Sequence, residues 1–167
     1  MPATRQPPLT PRPDRLKVAP SQHPAIKGRR SGRGLFAKLP KGRAFRCNSA
    51  VAEVTAFVVS SKVGGVWRSR YGLPFNATVQ LGRGMCALDP RFVDLSDPPP
   101  WFLMNNATKP AKANVRCERC LLHTAMPRPP LPNGAEDIIP ATCHTITLKW
   151  RVLDTVGDGD ELFWQYH

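Results

Sequence analysis

The clearest pattern in the chain is an alternation of apolar and polar residues near its carboxyl end. Apolar residues occupy every second position from Ile146 to Val152, and polar residues fill the positions between them. Because successive side chains of a strand point to opposite faces, this period of two predicts one apolar face and one hydrated face. The segment from Thr142 to Leu153 is therefore predicted to be a half-buried antiparallel strand.

Elsewhere the pattern consists of short apolar runs separated by turns. Strands are predicted over 35–37, over 44–59, which is rich in β-branched and aromatic residues, and over 114–123. Glycine and proline predict turns over 28–34 and 40–42. No long helical period and no internal repeat is visible. We therefore expect a mainly β protein with little helix.

Two proline-rich stretches interrupt the pattern of strands and turns. Residues 1–24 contain seven prolines and few large apolar side chains, a composition that cannot offset the entropy of ordering, so a disordered tail is predicted. A second stretch, at about 124–141, is predicted to be a long exposed loop between two strands. A chain of 167 residues suits one core, so residues 25–167 are expected to form a single domain with this inserted loop.

Charge is distributed unevenly along the chain. The net charge is +12, and residues 1–46 hold twelve Lys and Arg against Asp14 alone, whereas the remainder has twelve basic and eleven acidic side chains. Such a basic segment attracts phosphate backbones or acidic surfaces without selecting a sequence. A solvated tail with no partner explains the same composition, and the sequence leaves both readings open.

Cysteine number and apolar runs bear on the compartment. The chain has five cysteines, an odd number, and no charged start followed by an apolar run, which favours reduced thiols inside a cell over a disulfide framework. No apolar run is long enough to span a bilayer. We expect a nuclear or cytoplasmic protein, with the nucleus favoured, and no membrane partner.

Three short segments carry candidate chemistry. Taken singly, they have ordinary explanations as a glycine turn, a turn capped by an asparagine pair, and an aromatic core strand. In chain order they are Ser31-Gly32-Arg33-Gly34-Leu35-Phe36-Ala37, then Met104-Asn105-Asn106-Ala107, and then Gly157-Asp158-Gly159-Asp160-Glu161-Leu162-Phe163-Trp164-Gln165-Tyr166.

The order and spacing of these segments resemble the SET-domain family of protein lysine methyltransferases. The resemblance covers roughly residues 24–167 and implies several small antiparallel sheets with a knot-like carboxy-terminal segment. The sequence departs from the family pattern where Asn106, Ala107 and Thr108 replace His-Ser-Cys and where Gln165 replaces aspartate. The family often has a cysteine-rich segment after the tyrosine, and here a minimal form without it is expected.

The resemblance implies a cofactor site made by the first two motifs. Gly32, Arg33 and Gly34 would cradle the methionine part of S-adenosylmethionine, and Asn105 and Asn106 would contact the same cofactor. A glycine turn also permits a close approach of the backbone to a small charged molecule.

The third motif implies the catalytic residue and the substrate channel. Tyr166 would orient the lysine amine and contact the transferred methyl group with its hydroxyl. Phe163 and Trp164 would line the channel, and the bulky indole of Trp164 would narrow it. Tyr71, the only other tyrosine, is a further candidate for the channel wall.

The resemblance implies a protein-lysine N-methyltransferase that acts on a histone or another lysine-rich protein, with the basic tail contacting nucleic acid or a nucleosome. A wall of the channel could come from the inserted loop, the tail or a second subunit, which leaves a homodimer open. The first alternative is a catalytically degenerate SET module that binds chromatin or a peptide. The second is a small basic nucleic-acid-binding β-protein.

A zinc site is a separate reading of the cysteines. Cys117, Cys120, His123 and Cys143 have a spacing that tetrahedral zinc allows. The alternation around Cys117 also fits a strand, in which cysteine is simply a small apolar residue. We favour the strand and expect no metal.

Overall fold

The computed structural model describes residues 13–23, 32–107, 111–127 and 138–166, which form eleven strands, one α-helix and three short 3-10 helices. The α-helix, α1, is Ser61–Tyr71, and the 3-10 helices are Pro13–Arg15, Phe75–Ala77 and Pro100–Leu103. The strands are β1 Leu16–Pro20, β2 Arg33–Ala37, β3 Ala44–Phe45, β4 Ala50–Ser60, β5 Thr78–Gly82, β6 Met85–Leu88, β7 Asn105–Asn106, β8 Val115–Pro127, β9 Thr142–Val152, β10 Val156–Gly157 and β11 Phe163–Trp164. The expectation of a mainly β protein with little helix is confirmed.

The strands form three sheets. The largest has the order β5-β6-β4-β9-β8-β11-β7, and the pairs β1-β2 and β3-β10 form two small antiparallel sheets. The centre of the large sheet is the antiparallel pair of β4 and β9, with Ala56 opposite Ile146. The apolar positions of β9 from Ile146 to Val152 are buried, as their alternation predicted.

The carboxy-terminal segment is enclosed by earlier parts of the chain. β11 lies between β7 and β8 and is parallel to both, with Phe163 opposite Asn105 and Trp164 opposite Val115. Just before it, the Leu162 N–H donates a hydrogen bond to the Leu35 carbonyl in β2 at 2.8 Å. The carboxy-terminal segment is thus held by strands from three earlier parts of the chain.

α1 is an element that the sequence pattern did not predict. Its first N–H groups are capped by Ser60, whose hydroxyl accepts from the Val63 N–H, and Gly72 ends it in the left-handed conformation, with φ 63°. Only Gly64 and Trp67 are buried along it. A stripe this narrow, with adjacent glycines that are poor helix formers, produces no visible helical period. Within the described ranges, no helix has the length and apolar character to cross a membrane.

Two boundaries differ from the sequence-based expectation. The disordered tail was predicted to reach residue 24, but Leu16–Pro20 pairs with β2, and Ser21 and His23 are buried. Polar contacts with residues far along the chain order this segment, and composition does not reveal them. β8 continues to Pro127, so its connection to β9 begins at residue 128 rather than 124. Residues 1–12 and 24–31 lie outside the described residues.

Gly64 provides a test of the packing of α1 on the sheet. A Cβ at this position would lie 2.5 Å from Cys86 Sγ, whereas one at Gly65 would meet only the end of the Arg68 side chain at 3.8 Å. We expect Gly64→Ala to lower the free energy of unfolding by about 1–3 kcal/mol through overpacking. Gly65→Ala, the matched control, should raise it by up to about 1 kcal/mol through helix propensity. Urea unfolding measures both, and equal effects would contradict a tight contact at Gly64.

Candidate functional site

The centre of the candidate site is the buried carboxylate of Glu161. Its Oε1 accepts hydrogen bonds from Ser21 Oγ at 2.8 Å and from Asn105 Nδ2 at 3.0 Å, and its Oε2 accepts from the Gln22 N–H at 3.1 Å. A buried charge is tolerated only when it is well paired or hydrogen-bonded, and these three donors meet that need. Glu161 therefore fastens the segment after β1 and the start of β7 to the carboxy-terminal segment.

The glycine motif packs directly on this carboxylate. A Cβ at Gly34 would collide with the Glu161 side chain and would lie 3.3 Å from Asn105 Nδ2. Gly34 does not have a positive φ, so glycine is required here for the close approach rather than for its backbone freedom. The Gly32 carbonyl accepts from the Ser21 N–H at 2.7 Å. The structure thus brings the first motif against Asn105, and the group closest to Gly34 is Glu161.

Asn105 connects the first two motifs. Besides its bond to Glu161, its Nδ2 donates to the Arg33 carbonyl at 3.0 Å, so both amide hydrogens are engaged. Its Oδ1 remains as an acceptor, and the Arg33 side chain is exposed. An amino acid group carries an ammonium and a carboxylate, which such an acceptor and such a cation can receive. The chemistry of these two groups is therefore compatible with the methionine part of S-adenosylmethionine.

The second and third motifs meet at Tyr166. Its backbone N–H donates to Asn106 Oδ1 at 3.2 Å, and its hydroxyl donates to the Met104 carbonyl at 2.8 Å. Burial raises the pKa of the Tyr166 phenol above its ordinary value, while hydrogen bonding with the Asn76 side chain acts in the opposite direction. The phenol is therefore neutral at physiological pH, with its orientation fixed by a backbone carbonyl.

The three predicted channel residues lie in different surroundings. Trp164 is buried, with its ring 4.9 Å from Tyr166 and 5.6 Å from Trp150. Phe163, on the opposite face of β11, is instead 5.8 Å from the ring of the buried His23. Tyr71 ends α1 with its ring 4.8 Å from Trp67. Of the three, Trp164 is in ring contact with Tyr166, and a channel role for all three stays a prediction.

A pocket of about 240 Å³ opens beside Trp164. Its walls are apolar at Val115 and Leu153 and basic at Arg116 and Arg119. The two guanidinium groups disfavour a protonated lysine in this pocket and favour an anionic or neutral group.

Asn114 and Asn76 are site residues to which no role was assigned from the sequence. Asn114 Nδ2 donates to the Glu161 carbonyl and its Oδ1 accepts from the Phe163 N–H, both at 2.8 Å, so this side chain pairs with the backbone leading into β11. Asn76 reaches the Tyr166 phenol from the 3-10 helix after α1. Both lie far from the third motif in sequence, and only the fold places them there.

Strand register separates members of the candidate zinc set. In the ladder of β8 and β9, Cys117 lies opposite Trp150 and Cys143 opposite Met126. Trp150 and Cys143 are seven residues apart on β9 (150 minus 143), which separates them by about 23 Å at the usual rise per residue. Cys117 and Cys120 are three residues apart, on opposite faces of β8. Among the described residues, no three His, Cys, Asp or Glu side chains could hold a metal ion.

Comparisons with known proteins give a distant structural likeness. No protein-family model matches the chain. No curated protein matches it either. Among solved structures, it is similar to a Plasmodium falciparum protein described as a "putative histone methyltransferase", with a TM-score of 0.46 and 10% identity over 92% of this chain and 93% of that one. A likeness at this level is too low to establish a shared fold or an activity.

The Glu161 carboxylate provides a test of the site's assembly. Glu161→Gln keeps the shape of the side chain but turns an N–H donor toward groups that themselves donate. We expect the free energy of unfolding to fall by about 2 kcal/mol, with faster amide hydrogen exchange in residues 16–23. Glu53→Gln, on the exposed side of β4, is the matched control and should change neither. An unchanged rate of amide hydrogen exchange in Glu161→Gln would contradict the role of Glu161 in holding residues 16–23.

Thiol reactivity provides a test of the strand environment of the cysteines. Burial raises the pKa of Cys117 to about 12, whereas Cys120 is exposed. At pH 8 we expect iodoacetamide to modify Cys120 at least tenfold faster than Cys117, as measured by peptide mass spectrometry. Because the raised pKa of Cys117 favours its protonated thiol in the folded state, the contribution of this thiol to the free energy of unfolding is complete below about pH 9. That contribution is lost as the pH rises toward 12. Equal labelling rates would contradict this placement.

Proposed function

We propose that the chain is a SET-type protein-lysine N-methyltransferase that transfers a methyl group from S-adenosylmethionine to a lysine of a histone or another basic protein. The observation that supports this most is the meeting of three motifs that are distant in sequence. Asn105 donates a hydrogen bond to the Arg33 carbonyl, Asn106 accepts one from the Tyr166 N–H, and Phe36 forms a β-bridge with Glu161. Nuclear localisation and nucleosome contact through the basic tail belong to the same proposal.

Cofactor binding is assigned to the first two motifs. The exposed guanidinium of Arg33 would pair with the carboxylate of the methionine part, and Asn105 Oδ1 would accept from its ammonium group. The bound cofactor supplies an electrophilic methyl group on a positively charged sulfur. The Glu161 network keeps Asn105 and the Arg33 backbone fixed, so that the site is formed before the cofactor arrives.

Tyr166 is assigned the positioning of the amine. Since its hydroxyl hydrogen is donated to the Met104 carbonyl, the phenol oxygen can act as an acceptor, and the lysine nitrogen would donate to it alongside the contact from Asn76. That bond would direct the nitrogen lone pair toward the methyl carbon, and alignment of this kind lowers a barrier by several kcal/mol, to a limit of about 7–11 kcal/mol. An apolar wall disfavours the ammonium form and helps the lysine to lose its proton.

Trp164 would limit the size of the acceptor. Its indole is held between Trp150 and Tyr166, and core packing on both sides opposes its movement. A bulky, fixed ring beside the phenol leaves little room for an amine that already carries methyl groups. The proposal therefore favours a low degree of methylation.

A module that binds without catalysis is the second candidate. The observation that favours it is the engagement of both Asn105 amide hydrogens by Arg33 and Glu161, which leaves one polar atom of that side chain for a cofactor. Asn106, Ala107 and Thr108 also depart from the family motif. Binding of S-adenosylmethionine separates the two candidates.

Calorimetric titration with S-adenosylmethionine is the first test, followed by transfer of a radiolabelled methyl group to mixed histones. We expect binding in the micromolar range, and we expect Tyr166→Phe to lower the transfer rate at least 100-fold, a loss of about 2.7 kcal/mol of transition-state stabilisation, with cofactor affinity unchanged. Absence of binding at millimolar cofactor would contradict the proposal.

Tyr71→Phe is the matched control for this experiment. It removes the same oxygen atom from the other tyrosine, whose ring packs on Trp67. We expect it to retain transfer within threefold. Equal losses in the two variants would remove the assignment of Tyr166 as the catalytic residue.

A further inference from the structure

A basic surface lies around α1 and the hairpin of β5 and β6. Residues 54–88 contain four basic side chains, Lys62, Arg68, Arg70 and Arg83, and no Asp or Glu. The chain after residue 46 is otherwise close to neutral, so its positive charge is concentrated here. A surface of one sign raises the local concentration of an oppositely charged partner.

An exposed aromatic ring stands in this surface. Phe75 is 67% exposed, and the Arg68 guanidinium carbon lies 5.0 Å from its ring centroid. Arg68 Nη1 also donates to Thr78 Oγ1 at 2.6 Å, so the cation is held against the ring. The ring is thereby supported by a fixed guanidinium while most of its area faces water.

A chain of polar contacts extends from this ring to a second cation. Gln80 Nε2 approaches Thr78 Oγ1 at 3.5 Å, and Arg119 Nη2 donates to the Gln80 carbonyl at 3.1 Å. Arg119 is on β8 and Gln80 on β5, which are separated by β6, β4 and β9 in the sheet order, so the sheet curls to bring them together. Arg83 is exposed in the turn after β5. Phe75, Arg68, Gln80, Arg83 and Arg119 are named the Phe75 surface.

We propose that the Phe75 surface binds single-stranded nucleic acid, with an unpaired base stacked on Phe75 and phosphates paired with Arg83 and Arg119. An acidic peptide would need the cations but not the ring. A duplex would offer phosphates but no free base face. An unpaired nucleotide offers a flat apolar face beside an anion, which is the combination that this surface complements. The inference does not depend on the proposed methyltransferase activity.

Fluorescence anisotropy with a labelled twelve-nucleotide oligo(dT) and the full chain tests the proposal. Because base stacking on one aromatic ring commonly changes affinity by about 5–150-fold, we expect Phe75→Ala to weaken binding about tenfold. Phe75→Trp keeps an aromatic ring and should bind the oligonucleotide about as tightly as the unchanged protein. A change below twofold in Phe75→Ala would overturn the proposal. Thermal unfolding of each variant checks that the exposed substitution leaves the fold intact.

Matched cation variants separate this surface from general attraction to the basic segment 1–46. Arg83→Asn suits the positive φ of 54° at this turn and should lower the salt dependence of binding by about 0.7 in log–log slope. Arg46→Asn, an equal loss of charge at an exposed position outside the Phe75 surface, should have a smaller effect. Equal changes in salt dependence for Arg83→Asn and Arg46→Asn would overturn the assignment of Arg83 to the binding surface.

The competing partners serve as further arms of the experiment. A duplex of the same length and a poly-glutamate peptide should bind more weakly than the oligonucleotide and should be insensitive to Phe75→Ala. If poly-glutamate bound as tightly and with the same Phe75 dependence, the partner would be an acidic protein and the proposal would be wrong. The same result with the duplex would exclude recognition of an unpaired base.

Discussion

The structure depends on one buried negative charge. Glu161 can be buried only because Ser21, Gln22 and Asn105 surround its carboxylate with hydrogen-bond donors. These donors come from the beginning and the middle of the described chain, and the acceptor comes from near its end. The need to satisfy one carboxylate thus orders the segment after β1, holds the glycine motif close and fixes β7. The candidate cofactor site and Tyr166 are built on the same arrangement.

The sequence predicted the parts of the fold that local pattern controls. The alternation in β9 and the β-branched run of β4 form the central pair of the large sheet. The sequence did not predict α1, since its buried stripe consists of little more than Gly64 and Trp67. Nor did it predict order in residues 13–23, since Ser21 finds its partner 140 positions away. A composition argument sees the entropy of such a segment but not the distant contact that offsets it.

The candidate site was likewise predicted from the sequence only in part. The resemblance of three motifs led to Asn105 and Tyr166, and the structure brings the motifs together. Asn114 and Asn76 were assigned no role from the sequence, and their roles follow only from where the sheet and the turn after α1 place them. The cysteine spacing suggested a ligand set that strand register does not allow, because spacing along a chain fixes distance only within one element. Composition likewise hid the Phe75 surface, since whole-chain charge does not show where acidic residues are missing.

The position of β11 also constrains how this protein can acquire its fold during translation. β11 is synthesised after both of its neighbours, β7 and β8, yet it lies between them. Until it emerges from the ribosome, those two strands must either remain about 10 Å apart, twice the usual strand spacing, or stay unformed. Each then presents unpaired backbone groups to other nascent chains. Completion of the sheet is therefore a late, non-local event, and the edges of β7 and β8 stay open to pairing with other chains until β11 is available.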